Sequence, residues 1–155
     1  MAEAADGVIR VGRMEFRNRT WESVSEGDEL PPMTFGPLTD TTMMRAASGT
    51  RDSAKHHHDR AYAKENGAPD MFVNTMWYQA LLGRYVTDWG GPESFLRRLD
   101  FRMRLHCVPG DTLTVRGTVT GKREENGQKL VDLDVRIDST RNKDSVIASM
   151  THELI

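Results

Sequence analysis

The sequence predicts an α+β domain in which a curved antiparallel β-sheet wraps around one long central helix. Residues 73–89 carry apolar side chains at helical spacing on more than one face, which is typical of a helix buried on most sides. After Asp100 the apolar residues alternate with polar ones, as they do in strands with one dry face. Because that dry face must cover something apolar, we expect the sheet to cover the helix at residues 74–89.

The beginning of the chain is predicted to be an extension followed by a short extended segment. Residues 1–30 are predicted to be an N-terminal extension, irregular up to about Arg19, and residues 31–155 are predicted to form the folded domain. Pro31 and Pro32 forbid a helix at that point and therefore favour an extended segment.

Two short helices are predicted before the central one. Thr39 or Asp40 can cap the N-terminus of a helix that ends at Gly49. A second helix is predicted at residues 60–65, because an Asn-Gly pair follows it in the manner of a C-cap. The two helices enclose a polar loop.

Four strands are predicted in the second half of the chain, arranged as a meander with turn-forming residues between them. They span residues 101–107, 113–119, 131–137 and 146–154. In the third strand Asp132 and Asp134 alternate with apolar residues and are expected on the wet face. His106, Cys107 and His152 fall within these strands and are expected to be packing or surface residues.

The composition is that of a soluble globular chain. Hydrophobic residues make up 37% and charged residues 28%, and the formal net charge is −2. That charge gives no long-range attraction for nucleic acid or anionic membrane. No stretch approaches the roughly 20 apolar residues of a membrane span, and residues 1–6 lack the apolar run of a signal peptide. Because Cys107 is the only cysteine, no disulfide framework is possible, and a cytoplasmic protein is expected.

The loop after the first predicted helix carries the most informative polar residues. Asp52 and His57 lie five positions apart in the segment RDSAKHHHD, residues 51–59. A carboxylate and an imidazole that share one water can divide its proton and hydroxide between them, which is general acid–base chemistry. Asp59 could hold this loop or orient a histidine. The alternative for the same residues is a polar surface loop with three solvated histidines.

A metal site at the adjacent His56, His57 and His58 is not expected. Neighbouring residues in a loop rarely all face one ion, and no cysteine or glutamate lies at ligand spacing nearby. In the central helix Trp77 and Tyr78 are expected to be core or subunit contacts, with a place in a binding tunnel as the alternative.

The order of residues around this loop resembles the hydratase motif of the MaoC-like dehydratases, the (R)-specific enoyl-CoA hydratases. In that motif an aspartate precedes a histidine by five positions, and another aspartate follows two positions later. The matching residues are Ala47, Ser48, Gly49, Asp52, His57, Asp59, Ala61, Ala63 and Gly67. Residues 51–60, 70–74 and 84–92 more specifically resemble the small single-hotdog subunit of the heteromeric enoyl-CoA hydratase of steroid side-chain degradation.

The resemblance implies a single hotdog fold for residues 31–155, which is the arrangement of sheet and helix predicted above. It implies that Asp52 and His57 activate a water that adds across the double bond of a 2-enoyl-CoA. It places the oxyanion donor at the backbone N–H of Thr75, where a helix N-terminus favours negative charge. Three further residues would support the site or contact the substrate: His58, Asp59 and Asn74.

Two positions depart from the family's pattern. Ala54 and Lys55 replace its usual Asn-Pro, and Asn74 and Thr75 replace its usual His-Gly at the start of the central helix. The threonine side chain then stands where glycine would let the substrate approach closely. Both departures recur in the steroid-type subunit, so hydratase activity is still expected.

The resemblance also sets expectations for cofactors and partners. No cofactor is expected, because coenzyme A is part of the substrate. Uncovered sheet edges predict a homodimer or a hetero-oligomer with a second MaoC-like hotdog subunit. Four arginines could meet the coenzyme A phosphates or form a solvated sheet edge: Arg97, Arg98, Arg102 and Arg104.

Two alternatives to a hydratase are open at the level of the sequence. Acyl-CoA thioesterases of this fold typically place an Asp or Glu on the central helix, but residues 74–87 contain no carboxylate. A catalytically silent hotdog subunit would complete a partner's fold or only bind acyl-CoA. Such a subunit has no physical reason to keep Asp52 and His57.

Overall fold

The computed structural model describes the backbone of residues 8–11 and 14–155, with side chains from Arg17 onward. Two antiparallel strands, β1 (Val8–Val11) and β2 (Met14–Arg17), form a hairpin near the N-terminus. The prediction of an irregular segment up to Arg19 is therefore wrong for these strands, whose β-branched and apolar residues favour pairing. Residues 1–6, in which no signal peptide is expected, lie outside the described residues. The division between residues 30 and 31 stays a prediction.

Five further strands form one antiparallel sheet in the order β3-β5-β6-β7-β4. They are β3 (Glu29–Phe35), β4 (Phe95–Met103), β5 (Leu113–Glu125), β6 (Gln128–Ser139) and β7 (Val146–Leu154). The strands β5, β6 and β7 form a meander, as predicted. Asn126 and Gly127 turn the chain between β5 and β6 with φ angles of 52° and 78°, which suit a tight hairpin.

The described residues also form three α-helices: α1 (Asp40–Gly49), α2 (Arg60–Glu65) and α3 (Thr75–Gly90). The predicted cap at Thr39 is confirmed, because the side chains of Thr39 and Thr42 each accept the other residue's backbone N–H. The central helix α3 begins at Thr75, one residue after the predicted start at 74, because Asn74 has an extended backbone and caps it. None of the helices in the described part of the chain is long and apolar enough to cross a membrane.

The core lies between α3 and the inner face of the sheet. Tyr78, Leu82 and Val86 follow one another at helical spacing and are at most 1% exposed. Burial of a side chain of this size stabilises the fold by about 1.5–3 kcal/mol. The sheet covers one side of α3, as predicted. Met76 and Gln79 on another side are exposed in the single chain, so the helix is less completely buried than its pattern indicates.

The strand β4 differs most from its prediction. It spans Phe95 to Met103 rather than residues 101–107, and it pairs with β7 at the sheet edge rather than with β5. A register shift between Leu96 and Arg98 interrupts the alternation of this strand, as a β-bulge does. Because Arg97 and Arg98 are adjacent at the bulge, the alternation of polar and apolar residues fails there, and the start of the strand could not be predicted from it.

The connection between β4 and β5 carries two of the residues predicted to lie on a strand. His106 is exposed and Cys107 is fully buried in this connection. The carbonyl of Cys107 accepts the N–H of Val73 at 3.2 Å, which attaches the connection to the segment just before α3. Only His152 lies on a strand as predicted, in β7, and it is fully buried.

Candidate active site

The loop between α1 and α2 brings Asp52 and His57 together. The chain reverses at Arg51, whose φ of 54° is left-handed, and Asp52 Oδ1 then accepts the N–H of Ala54 at 3.1 Å. A 3₁₀ turn at Lys55–His57 returns the chain toward Asp52. His57 Nε2 consequently lies 3.3 Å from Asp52 Oδ2. The spacing in the sequence therefore becomes a direct contact.

The second ring nitrogen of His57 decides which atom faces Asp52. Nδ1 lies 2.8 Å from the carbonyl oxygen of Phe72, and because a carbonyl only accepts, Nδ1 must carry the proton. In the neutral ring, Nε2 is then an acceptor that faces a carboxylate at 3.3 Å, which is too close for a water between them, so a water can reach both acceptors only from beside the pair. The side chains of His57 and Asp52 are 12% and 20% exposed, so the pair is sheltered but reachable.

The N-terminus of α3 lies against the same pair. Asn74 is fully buried, and its Nδ2 donates to Asp52 Oδ2 at 3.2 Å. Thr75 is the first residue of the helix, so its N–H has no acceptor within α3. The aligned peptide dipoles of α3 add a partial positive charge at this end. Thr75, the predicted oxyanion donor, therefore directly follows Asn74, which is hydrogen-bonded to Asp52.

His58 and Asp59 shape the loop. Asp59 Oδ1 accepts the N–H of Tyr62 at 3.0 Å and thereby caps α2. It forms no hydrogen bond with a histidine in the part of the chain that the structure describes, so it holds the loop rather than orienting an imidazole. His58 is exposed, and its N–H donates to the carbonyl of Lys55 at 3.1 Å. Contact of either side chain with a substrate stays a prediction.

Phe72 and His106 belong to the site, although sequence reasoning missed them. The ring of Phe72 lies edge-on to His57 at 5.0 Å and stacks on His106 at 4.0 Å between centroids. Although His106 is exposed overall, the stacked Phe72 shields part of its ring from water, and this desolvation, with the nearby His56 and His57, lowers the pKa of His106 and favours a neutral ring. Phe72 falls within the resembling segment 70–74, but neither Phe72 nor His106 was assigned a role, because each meets its partner only when a distant segment folds back.

A buried carboxylate braces the connection that carries His106. Asp111 is 2% exposed, and it accepts the N–H of Val108 at 3.0 Å and two bonds from Arg141 at 2.7 and 2.9 Å. Burial alone would raise the pKa of Asp111, but the bonds from Arg141 and Val108 leave it below its ordinary value. Arg141 also donates to the carbonyl of His106 at 3.2 Å. The ionised carboxylate therefore fixes the connection behind the site.

The three adjacent histidines face different neighbours. His56 packs edge-on to Tyr62 at 5.0 Å between ring centroids, whereas His57 faces Asp52. Among the residues that the structure describes, no three His, Cys, Asp or Glu side chains converge as metal ligands. A groove of about 1130 Å³ lies farther along α3, beside Tyr85 and Trp89, and neither Asp52 nor His57 lines it.

Comparison with curated proteins gives a relative named for hydration of a CoA thioester. No family model matches the chain. The chain is similar to the beta subunit of 3-oxo-4,17-pregnadiene-20-carboxyl-CoA hydratase from Mycobacterium tuberculosis, with 39% identity over 80 residues. The match covers 52% of this chain and 62% of that protein, so the chain spans less than two thirds of the relative's length.

Solved structures match over most of the chain. The ChsH1-ChsH2 complex from Mycobacterium tuberculosis gives a TM-score of 0.77 at 30% identity, covering 84% of this chain and 98% of that chain. An (R)-hydratase from A. caviae gives 0.76 at 19% identity, with coverage of 86% and 99%. A MaoC-like dehydratase from Rhodospirillum rubrum gives 0.76 at 15% identity, with coverage of 89% and 97%. The last two show the fold alone, and the predicted single hotdog is confirmed.

Proposed function

Because the chain belongs to the family of MaoC-like dehydratases and (R)-specific enoyl-CoA hydratases, we propose that it is a hydratase subunit that adds water to a 2-enoyl-CoA thioester. The observation that carries this proposal is the contact of Asp52 with His57, 3.3 Å apart, beside the N-terminus of α3. The reaction needs an acid–base pair and a donor for the developing oxyanion, and this site offers both.

In the proposed reaction one water lies beside the pair, within hydrogen-bond reach of both the Asp52 carboxylate and His57 Nε2. As the pair takes a proton from this water, its oxygen bonds to the β-carbon of the enoyl thioester. The electron pair of the double bond moves toward the thioester oxygen, where the N–H of Thr75 and the dipole of α3 stabilise the enolate. The pair then delivers the proton that it took from the water to the α-carbon, so one water is added in total and no cofactor takes part.

We propose a bulky acyl-CoA, such as a steroid side-chain thioester, as the substrate class. The curated relative is named for a pregnadiene-carboxyl-CoA substrate. Beside the proposed oxyanion donor, Met76 and Met103 are 39% and 40% exposed, and Thr75 Oγ1 lies 3.9 Å from Met103 Sδ. These flexible apolar side chains would offer an adaptable wall to a large acyl group.

The proposed partner is a second hotdog subunit that pairs along β4. At the opposite edge, β3 contains Pro31 and Pro32, which lack N–H donors and hinder further pairing. No strand within the described residues pairs with the outer edge of β4, where Phe95 is 58% exposed. The matched ChsH1-ChsH2 structure is a complex, which supports a hetero-oligomer; a homodimer is the alternative.

A hydration assay tests the proposed function. The chain, alone and with a MaoC-like subunit co-purified from its native host, is incubated with 2-enoyl-CoAs ranging from short linear chains to steroid side-chain thioesters. We expect a product heavier by one water, formed fastest from the bulky substrates. Release of free coenzyme A would identify a thioesterase instead. Binding without turnover in both preparations would identify a silent subunit.

Sedimentation of the same preparations tests the proposed pairing. We expect a dimer or a larger assembly, because the open edge of β4 and the exposed side of α3 need a cover. An active species that sediments as a monomer would contradict the pairing and leave the hydratase proposal standing.

A further inference from the structure

Asn74 lies where the three segments of the site meet. Its side chain is fully buried, and every polar atom of the amide has a partner. A buried amide in a fully satisfied network holds its neighbours in one arrangement, because moving any of them would leave a buried polar group unpaired.

The amide nitrogen of Asn74 connects the end of α1 to the loop. Nδ2 donates to Thr50 Oγ1 at 2.6 Å and to Asp52 Oδ2 at 3.2 Å. Thr50 Oγ1 in turn donates to the carbonyl of Ala46 at 2.7 Å, so this acceptor is attached to the last turn of α1. Asp52 is therefore held from a rigid helix end as well as from its own loop.

The amide oxygen of Asn74 connects the same side chain to α3. Oδ1 accepts the N–H of Trp77 at 3.1 Å, which satisfies one of the free donors of the helix N-terminus. The next residue along the chain is Thr75, the first residue of α3, whose N–H is the proposed oxyanion donor. One side chain thus links the carboxylate of the acid–base pair to the helix end that faces the developing negative charge.

We propose that Asn74 is a positioning residue that fixes Asp52 Oδ2 relative to the N-terminus of α3, so that the water and the enolate are held in one geometry. This inference rests on the proposed hydratase function. Asn74 itself touches neither the water nor the thioester in this assignment. Loss of its amide should therefore lower kcat and change KM little, since correct geometry matters most in the transition state.

The variant Asn74→Asp separates positioning from capping. Aspartate has nearly the same shape and caps helices as well as asparagine does, but it places an oxygen where Nδ2 now donates to Asp52 and Thr50. Two facing carboxylates resist ionisation together. We expect kcat near neutral pH to fall on the order of 100-fold, and the ascending limb of the pH–rate profile to move to higher pH.

Two further variants complete the test: Asn74→Ser removes the link to Asp52, and Thr39→Ala is the control that keeps it. Serine keeps a cap on α3 but cannot reach Asp52, so kcat should fall about tenfold, the scale of one hydrogen bond to a charged group. Thr39→Ala removes the cap of α1 and leaves the Asn74 network intact. It should lower the melting temperature without changing kcat or the pH profile. An Asn74→Asp variant with native kcat and an unmoved profile would overturn the proposal.

A measurement without substrate separates this inference from the hydratase proposal. In ¹⁵N-labelled native protein, the side-chain NH₂ signals of Asn74, assigned by their loss in Asn74→Ser, should be displaced and slow to exchange. In Asp52→Ala they should move, because the charged acceptor is gone. If they do not move, the link between Asn74 and Asp52 is wrong. If they move but no enoyl-CoA is hydrated in any preparation, the proposed function fails while the link stands.

Discussion

The two ends of α3 treat a buried polar side chain in opposite ways. At the N-terminus, Asn74 is fully buried and every polar atom of its amide is paired. At the C-terminus, His152 of β7 is also fully buried, but neither ring nitrogen has a hydrogen-bond partner among the described residues. A polar side chain is therefore buried at both ends of α3, but within the described part of the chain only Asn74, at the N-terminal end, is part of a hydrogen-bond network.

At the C-terminal end of α3, His152 can be buried without hydrogen bonds to the described residues because its ring is uncharged. The ring of His152 lies 6.2 Å from that of Trp89, and a Cβ built at Gly90 would lie 2.5 Å from Nε2. Burial lowers the pKa of His152 to about 4, so the ring is neutral at neutral pH and packs as an aromatic core residue. The comparison teaches that the partners of a buried polar group, rather than its burial, distinguish a site from a packing position.

The largest expected effect is at the N-terminal end, in the acid–base pair. Asp52→Asn and His57→Ala should each lower the hydration rate on the order of 10²–10⁴-fold, the usual scale for positioned acid–base groups. The double variant should lose little more than the worse single variant, because both groups act on one water. The measurement is steady-state hydration with the partner present. His56→Ala and His58→Ala should lower the rate less than either pair variant, and near-native rates for Asp52→Asn or His57→Ala would show that the chemistry lies elsewhere.

At the C-terminal end of α3, acid should lower the free energy of unfolding, because buried His152 has no hydrogen-bond partner for a charged ring among the residues that the structure describes. Since the pKa of His152 is about 4 in the folded chain and near 6.5 when unfolded, the unfolded state binds more protons between these values. Stability should therefore fall as the pH drops from 6.5 toward 4, by up to about 3 kcal/mol. Urea unfolding at several pH values measures this loss. In His152→Leu the free energy of unfolding should depend less on pH, whereas in the control His58→Ala, which changes an exposed histidine, it should depend on pH as in the native chain. Equal pH dependence in the native chain and both variants would show that His152 does not cause the loss.

Gly90 and Gly83 sharpen the comparison within one helix. A Cβ at Gly90 would lie 2.5 Å from both His152 Nε2 and Ser94 Oγ, whereas at Gly83 the nearest atom is Leu96 Cδ2 at 3.9 Å. Gly90→Ala should therefore destabilise the protein by about 1–3 kcal/mol through overpacking. Gly83→Ala should be neutral or stabilise by up to about 1 kcal/mol, because alanine favours the helix. Thermal unfolding of both variants measures these changes. Equal changes in the melting temperature would show that helix propensity, rather than packing at Gly90, dominates.

The smallest expected effect is that of a chelator on hydration. The proposed reaction uses water, two side chains and a backbone N–H, so extensive treatment with a chelator should leave the rate unchanged. A rate that falls and returns when zinc is added would point to a metal at the three adjacent histidines and would overturn the proposed chemistry at the N-terminal end of α3.

Local patterns were sufficient for much of the fold and for the centre of the site. The capping by Thr39, the bounds of α2 and the alternation of β6 were predicted correctly, because each depends on residues a few positions apart. The spacing of Asp52 and His57 also predicted their contact, since a short loop between two helices can close only over a small distance. The start of β4 was missed because a bulge breaks the period-two pattern on which the prediction depends.

The amino-acid sequence by itself determined the helix, the dry face of the sheet, the loop and the approach of Asp52 to His57. Only the tertiary structure decided that β4 pairs with β7, that the carbonyl of Phe72 orients His57, and that the amide of Asn74 reaches Asp52. It also decided that His152 is buried without a partner. The physical reason is that period and spacing act over one or two turns of chain, whereas these contacts join segments whose approach depends on how the whole sheet closes around α3.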